Sequence, residues 1–200
     1  MTGPAPLDYG WWLTSRAAGI AALLCVTVSV ILGLAMAGKV SRRPGMQKAL
    51  MGVHEHLALA GLLAIAVHGI TLLGDPWLHP GPTGIAIPFT MEYRPVWTGL
   101  GIIAGWLAAL LGLSFYARKR IGAKRWRTLH RATLLVWILG VIHTLGAGTD
   151  GQSVWMLGFM AASTLVIVPL LVLRIRGPRP VSSPAARAPR PGSPARRPAS

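Results

Sequence analysis

The chain has one cysteine, Cys25, among its 200 residues. That excludes an intramolecular disulfide and a thiolate metal cluster, and Cys25, lying inside an apolar run, is expected to be a small packing residue. There is no G-x-x-x-x-G-K-[ST] loop and no G-x-G-x-x-G following a strand, so no nucleotide-binding domain is indicated. Polar material is scarce as well. Charged residues make up 12% of the chain against 52% hydrophobic, too little to coat a soluble globule of this length.

What the chain does contain is long apolar runs. Crossing a hydrocarbon core of roughly 30 Å takes about 20 helical residues, and five runs qualify: 11–37, 50–73, 96–117, 129–147 and 154–173. They predict an all-α membrane protein, a bundle of five transmembrane helices. Asp8 precedes the first run where a signal peptide would be basic, and Lys39, Arg42 and Arg43 follow it where a cleavage site would need small residues, so this run is expected to be a retained helix. Residues 75–95, with five prolines and two glycines, read as an ordered irregular connector. Residues 177–200 are rich in proline, alanine, serine and arginine, with almost nothing to bury, and are expected to be a disordered tail.

A net charge of +15 raises the possibility of nucleic acid, but the basic residues do not share a soluble face. They fall in alternate loops: Lys39, Arg42, Arg43 and Lys48 after run one, Arg118 to Arg127 after run three, and Arg174, Arg176 and the tail after run five. No nucleic-acid partner is expected. The positive-inside rule puts these segments in the cytoplasm, the N-terminus outside and the C-terminus inside a cell membrane crossed several times. Trp11, Trp12, Trp77, Trp97 and Trp155 gather at the predicted outer ends, with Trp126 at an inner one, where amphipathic rings prefer to sit. The tail arginines, Arg179, Arg187, Arg190, Arg196 and Arg197, are expected near the anionic inner leaflet.

Ionisable side chains inside a bilayer are costly and tend to mark function. His54 and His68 fall in run two, in "HEHLALAGLLAIAVHG", and His130 and His143 fall in run four. Both runs point from inside to outside in this topology, so the imidazoles form two levels: His54 with His130, and His68 with His143. Two neutral imidazoles facing each other from neighbouring helices are what an iron ligated on both axial faces of a haem requires. Fourteen residues put His68 about 40° from His54 around a helix and roughly 21 Å along it, so one face carries both. His56 lies about 120° from His68 by the same measure and is the poorer ligand. Thirteen residues put His143 about 220° from His130 on a straight helix; that pair needs a tilt, a bulge or approach from different flanks. His79 reads as a surface residue, and Glu55 as a partner of Lys48 or Arg131.

Around these residues a resemblance becomes specific. "HEHLALAGLLAIAVH" and "WRTLHRATLLVWILGVIHTLGAGTD" resemble the two ligand helices of the ferric reductase-like transmembrane domain family, which includes the membrane halves of NADPH oxidases and the haem subunit of the bacterial periplasmic methionine sulfoxide reductase system. That family spaces its ligand pairs by thirteen and by twelve intervening residues, as here. "YRPVWTGLG" and "WWLTSRAAGIAALL" are similar to bacterial members too, and the likeness spans a domain over 8–175. It implies a b-type cytochrome with two haems, the inner iron held by His54 and His130 and the outer by His68 and His143. Many relatives carry six helices and a cytoplasmic domain for FAD and NAD(P)H; this chain offers five runs and a tail.

The implied activity is that of an oxidoreductase subunit without its own flavin or nicotinamide domain, FAD or FMN entering only through a partner. Electrons would come from a separate cytoplasmic flavoprotein reductase or from membrane quinol and leave to ferric iron, oxygen or an extracytoplasmic redox protein. Arg125, Arg127 and Arg131 are candidates to neutralise haem propionates, and Gly52, Gly61, Gly69, Gly140 and Gly146 to let a macrocycle approach or helices pack. The alternative is a haem-free small transporter or membrane assembly subunit whose histidines relay protons or join helices.

Overall fold

The computed structural model describes residues 6–38 and 44–176. Eight α-helices follow one another among them: α1 (Pro6–Ala37), α2 (Pro44–Thr71), α3 (Gly81–Ala86), α4 (Pro95–Leu113), α5 (Arg118–Ile121), α6 (Ala123–His130), α7 (Thr133–Ala147) and α8 (Val154–Arg176), with a 3-10 turn at Leu72–Gly74. No strand occurs among the described residues. Residues 39–43 and the tail 177–200, with their arginines, lie outside them.

Five segments are long and apolar enough to cross a membrane: Tyr9–Ala37, Gly45–Gly74, Pro95–Leu113, Ala123–Ala147 and Val154–Arg176. The protein is therefore read as multi-pass. Its outward side chains agree, since Leu63 and Leu110 are each 67% exposed and Leu165 is 75% exposed, which suits a hydrocarbon solvent and would be costly in water.

Three boundaries differ by four residues or more from the sequence expectation, and the second span begins at Gly45 rather than 50. The third span ends at Leu113 rather than 117, because the Ser114 hydroxyl donates to the Leu111 carbonyl and the chain continues in tight turns. The fourth begins at Ala123 rather than 129 and consists of two helices, α6 and α7, in one span. Thr128, Leu129, Arg131 and Ala132 carbonyls accept from Arg131, Ala132, Leu134 and Leu135 amides, three residues on instead of four. The Thr133 hydroxyl takes the His130 carbonyl at 2.8 Å, a local bond that competes with the helical ladder.

The helices form a four-membered frame. α1 packs along α2 and also against α7; α4 packs against α2 and α7; and α8 lies outside, on α1. α2 and α7 thus face each other across the frame, each held by α1 and α4. The core is shared between α1, α7 and α8, where Val30, Leu34, Trp137 and Ile167 meet, and between α4 and α7, where Ala108, Leu111 and Val136 meet. The Trp137 indole N–H donates to the buried Thr27 hydroxyl at 3.0 Å, which satisfies both groups away from water. Cys25 does pack: a side chain on Gly61 would come within 3.3 Å of its Cβ, so α1 and α2 approach closely there.

Candidate functional site

The four spanning histidines meet in two pairs. His54 on α2 faces His130 at the end of α6, ring centres 6.0 Å apart with planes at 88°. His68 on α2 faces His143 on α7, ring centres 6.2 Å apart with planes at 71°. The break at Arg131–Ala132 reconciles the second helix with this arrangement. About four residues turning near 120° each, as in a 3-10 helix, add roughly 80° and bring His143 to within about 60° of His130.

The separations suit a shared metal. Two metal–nitrogen bonds of ~2 Å, with each ring nitrogen ~1 Å from its ring centre, sum to about 6 Å. Tautomers agree as well. His54 Nδ1 lies 2.9 Å from the Ser29 carbonyl, His68 Nδ1 2.8 Å from the Ser15 carbonyl, and His143 Nδ1 2.9 Å from the Trp97 carbonyl. A carbonyl only accepts, so in each of these rings Nδ1 carries the proton and Nε2 keeps its lone pair. Metal-bound histidines are commonly oriented through such bonds. The Ser15 and Ser29 hydroxyls also lie 3.0 Å from the Nδ1 atoms of His68 and His54. His130 is held differently: it stacks on Trp126, ring centres 4.9 Å apart, and its buried Nδ1 has no partner among the described residues.

Each pair borders a cavity. One of about 730 Å³ surrounds His68 and His143 and is lined also by Trp12, Arg16, Tyr93 and Asp150. One of about 240 Å³ surrounds His54 and His130 and is lined by Arg127, Arg131 and Arg174. The larger is of the size that holds an organic cofactor. Arg127 and Arg131 therefore stand where the sequence reading put them, whereas Arg125 does not line the cavity and Arg174 does. Arg16 reaches Asp150 through two charge-assisted bonds, 2.6 and 2.5 Å, tying α1 to the loop before α8.

Other expectations resolve individually. His56 is exposed, with Nδ1 2.7 Å from the Gly52 carbonyl of its own helix. His79 is exposed too. Glu55 is exposed and, among the described residues, pairs with neither Lys48 nor Arg131. Gly69 and Gly140 line the larger cavity, but Gly52 does not border either cavity, Gly61 packs on Cys25 and Gly146 lies against the Trp97 ring. The glycines that touch imidazoles are others: Gly19 at His68, Gly33 at His54 and Gly101 at His143. The extramembrane loop joins the same cluster, since Arg94 Nη1 donates to the Gly146 carbonyl one helical turn beyond His143.

Comparison with known proteins gives a consistent answer. Over 93 residues, 45% of the chain, it is 37% identical to the protein-methionine-sulfoxide reductase heme-binding subunit MsrQ of Salmonella arizonae, and equally to those of Salmonella paratyphi B and Salmonella newport. The matched stretch covers 38% of the length of these relatives. No solved structure matches the chain significantly. The profile described as "ferric reductase like transmembrane component" matches residues 18–141, which is more than half of the sequence and includes the first three of the four paired histidines. The chain belongs to the ferric reductase-like transmembrane component family and is a multi-pass membrane protein.

Proposed function

We propose that residues 8–175 form a membrane b-type cytochrome domain that carries electrons between the two faces of the bilayer through two haems. One observation carries this reading: two pairs of opposed imidazoles, 6.0 and 6.2 Å between ring centres, at two depths of one bundle. The name of the relatives, a heme-binding subunit of a methionine sulfoxide reductase, supports it. In this reading His54 and His130 hold the inner iron, and His68 and His143 the outer one.

Bound haem supplies one-electron chemistry between ferric and ferrous iron. The chain's own residues do the rest. The Ser15, Ser29 and Trp97 carbonyls keep Nδ1–H of three ligand rings in place and leave Nε2 free to bind. Arg127, Arg131 and Arg174 put positive charge beside the inner level, suited to carboxylates of a bound group. The apolar walls exclude water. Ligand levels fourteen residues apart on α2 are separated by roughly 21 Å along the helix, which spans most of a hydrocarbon core of about 30 Å.

The N-terminus and the 75–95 loop are assigned to the outside, and the basic segments and C-terminus to the cytoplasm. The electron donor is then a cytoplasmic flavoprotein reductase, bringing FAD or FMN with it, or membrane quinol. The acceptor is an extracytoplasmic redox protein or ferric iron, and the protein acts as an oxidoreductase subunit. A reduced-minus-oxidised spectrum of the protein purified from haem-replete cells tests this. Two b-type components are expected, and His68→Ala or His143→Ala should abolish one while sparing the other. A protein without visible absorption would refute the reading in favour of a haem-free membrane component.

A further inference from the structure

Three of the paired histidines are seated by the same device. The ring of His68 reaches the Ser15 carbonyl and lies against Gly19; His54 reaches the Ser29 carbonyl and lies against Gly33; His143 reaches the Trp97 carbonyl and lies against Gly101. In each case the glycine follows the accepting residue by four positions. The spacing has a physical reason. In a helix the residue at i+4 sits one turn above the carbonyl of residue i, on the same face, and its Cβ tilts back toward that carbonyl. A side chain there obstructs the approach to the carbonyl to the degree that its Cβ meets the incoming ring. With glycine at i+4 the carbonyl, already accepting its helical amide, stays open to a second donor from a neighbouring helix.

The device is repeated with the period of the ligands. Ser15 and Ser29, and Gly19 and Gly33, are fourteen residues apart on α1, as His54 and His68 are on α2. Antiparallel packing brings each set to its own level. α4 supplies a seat for His143 but ends at Leu113, two residues short of position 115, where a fourteen-residue repeat of Gly101 would fall, and His130 is left to stack on Trp126.

We propose that these three carbonyl–glycine seats are positioning elements that fix the tautomer and donor strength of the ligand imidazoles and so set the midpoint potential of each haem separately. The proposal rests on the haem reading above. A ring whose Nδ1–H donates to a carbonyl is a stronger electron donor through Nε2 and favours ferric iron. Weakening that bond raises the potential of the haem concerned and leaves the other unchanged.

The glycines differ in how much room remains. A Cβ on Gly101 would overlap the His143 ring, on Gly19 it would stand 3.1 Å from His68 Nδ1, and on Gly33 it would stand an ordinary 3.5 Å from His54 Cε1. An order of effects follows. In redox titrations of the purified full-length chain, Gly101→Ala should lose the outer haem and keep the inner. Gly19→Ala should keep both haems and shift the outer one upward, and Gly33→Ala should match the wild type. Gly158→Ala, whose Cβ meets nothing within 4 Å, is the control. Should Gly101→Ala fail to accumulate, Gly19→Ala decides alone.

A second measurement does not depend on haem. In the haem-free chain labelled with ¹⁵N-histidine, His68 should carry its proton on Nδ1 and Gly19→Ala should convert part of it to the other tautomer. Two outcomes overturn the proposal: both haems retained in Gly19→Ala with an unmoved outer potential, or Gly33→Ala as damaging as Gly101→Ala. Either leaves the haem reading intact, whereas a wild type that binds no haem removes that reading and the role in setting potentials together.

Discussion

Arg16 and Asp150 meet through two parallel bonds of 2.6 and 2.5 Å, and they join the first spanning helix to the loop between α7 and α8 at the rim of the larger cavity. The carboxylate is mostly buried, its side chain 12% exposed, while the guanidinium side chain is 37% exposed. Replacing Asp150 with Asn leaves a cation without its partner at an apolar rim. A modest loss of stability is expected, less than for a fully buried pair because Arg16 still reaches solvent. Thermal unfolding in detergent checks it, and Arg16→Gln added to Asp150→Asn should recover part of the loss.

The break between α6 and α7 sets the rotation of His130 relative to His143. Inserting one alanine between Arg131 and Thr133 turns His130 by about 100° and moves it ~1.5 Å along the axis. One of two haem components should vanish from the difference spectrum, with the His68–His143 component kept. Equal loss of both would mean that the two levels are not independent.

His130 lacks a carbonyl seat and is oriented by the indole of Trp126, whose own N–H donates to the Ser114 hydroxyl at 3.2 Å. Trp126→Ala should therefore lower the inner haem content selectively. Trp126→Phe, which keeps an aromatic face but not the donor, should retain most of it. Haem stoichiometry by pyridine haemochrome, compared with the optical spectrum, reads the difference.

Arg174 is half-buried beside the inner pair. A positive charge there stabilises ferrous over ferric haem, the ferric state being the more positive by one charge. Arg174→Gln should lower the inner midpoint potential by a few tens of millivolts, given an interaction on the order of 1 kcal/mol at an intermediate dielectric. The outer potential should not move.

Much of the architecture was legible from hydropathy, because membrane spans impose long uninterrupted apolar runs. The ends were less so. Residues 123–128 are too polar to read as part of a span, yet α6 leads into α7, with Trp126 set against Phe115 and its indole N–H on the Ser114 hydroxyl just past the end of α4. The histidine levels were readable from spacing on α2, where the helix is regular. On the fourth span the straight-helix rule failed, and no proline or glycine marks the place: the break at Arg131–Ala132 coincides with a Thr133 hydroxyl on the His130 carbonyl, which a periodicity argument does not see. The glycines beside the imidazoles were not singled out. Gly61 does serve helix packing, and Gly69 and Gly140 do line the larger cavity, but a glycine that makes room for a ring lies on the helix opposite that ring, as Gly33 does for His54. The fourteen-residue echo between "SRAAG" and "SVILG" was present in the sequence; which helix it served was settled only by packing.

The 75–94 loop ends in Arg94, whose guanidinium holds the Gly146 carbonyl, and three residues later Trp97 lends its carbonyl to His143 and presses its ring on Gly146. Loop, indole and imidazole are therefore links of one short lever. Whatever settles on the 75–94 loop has its hand on that lever: the path from the Arg94 peptide to the His143 ring crosses a single helical turn and does not run through the rest of the bundle.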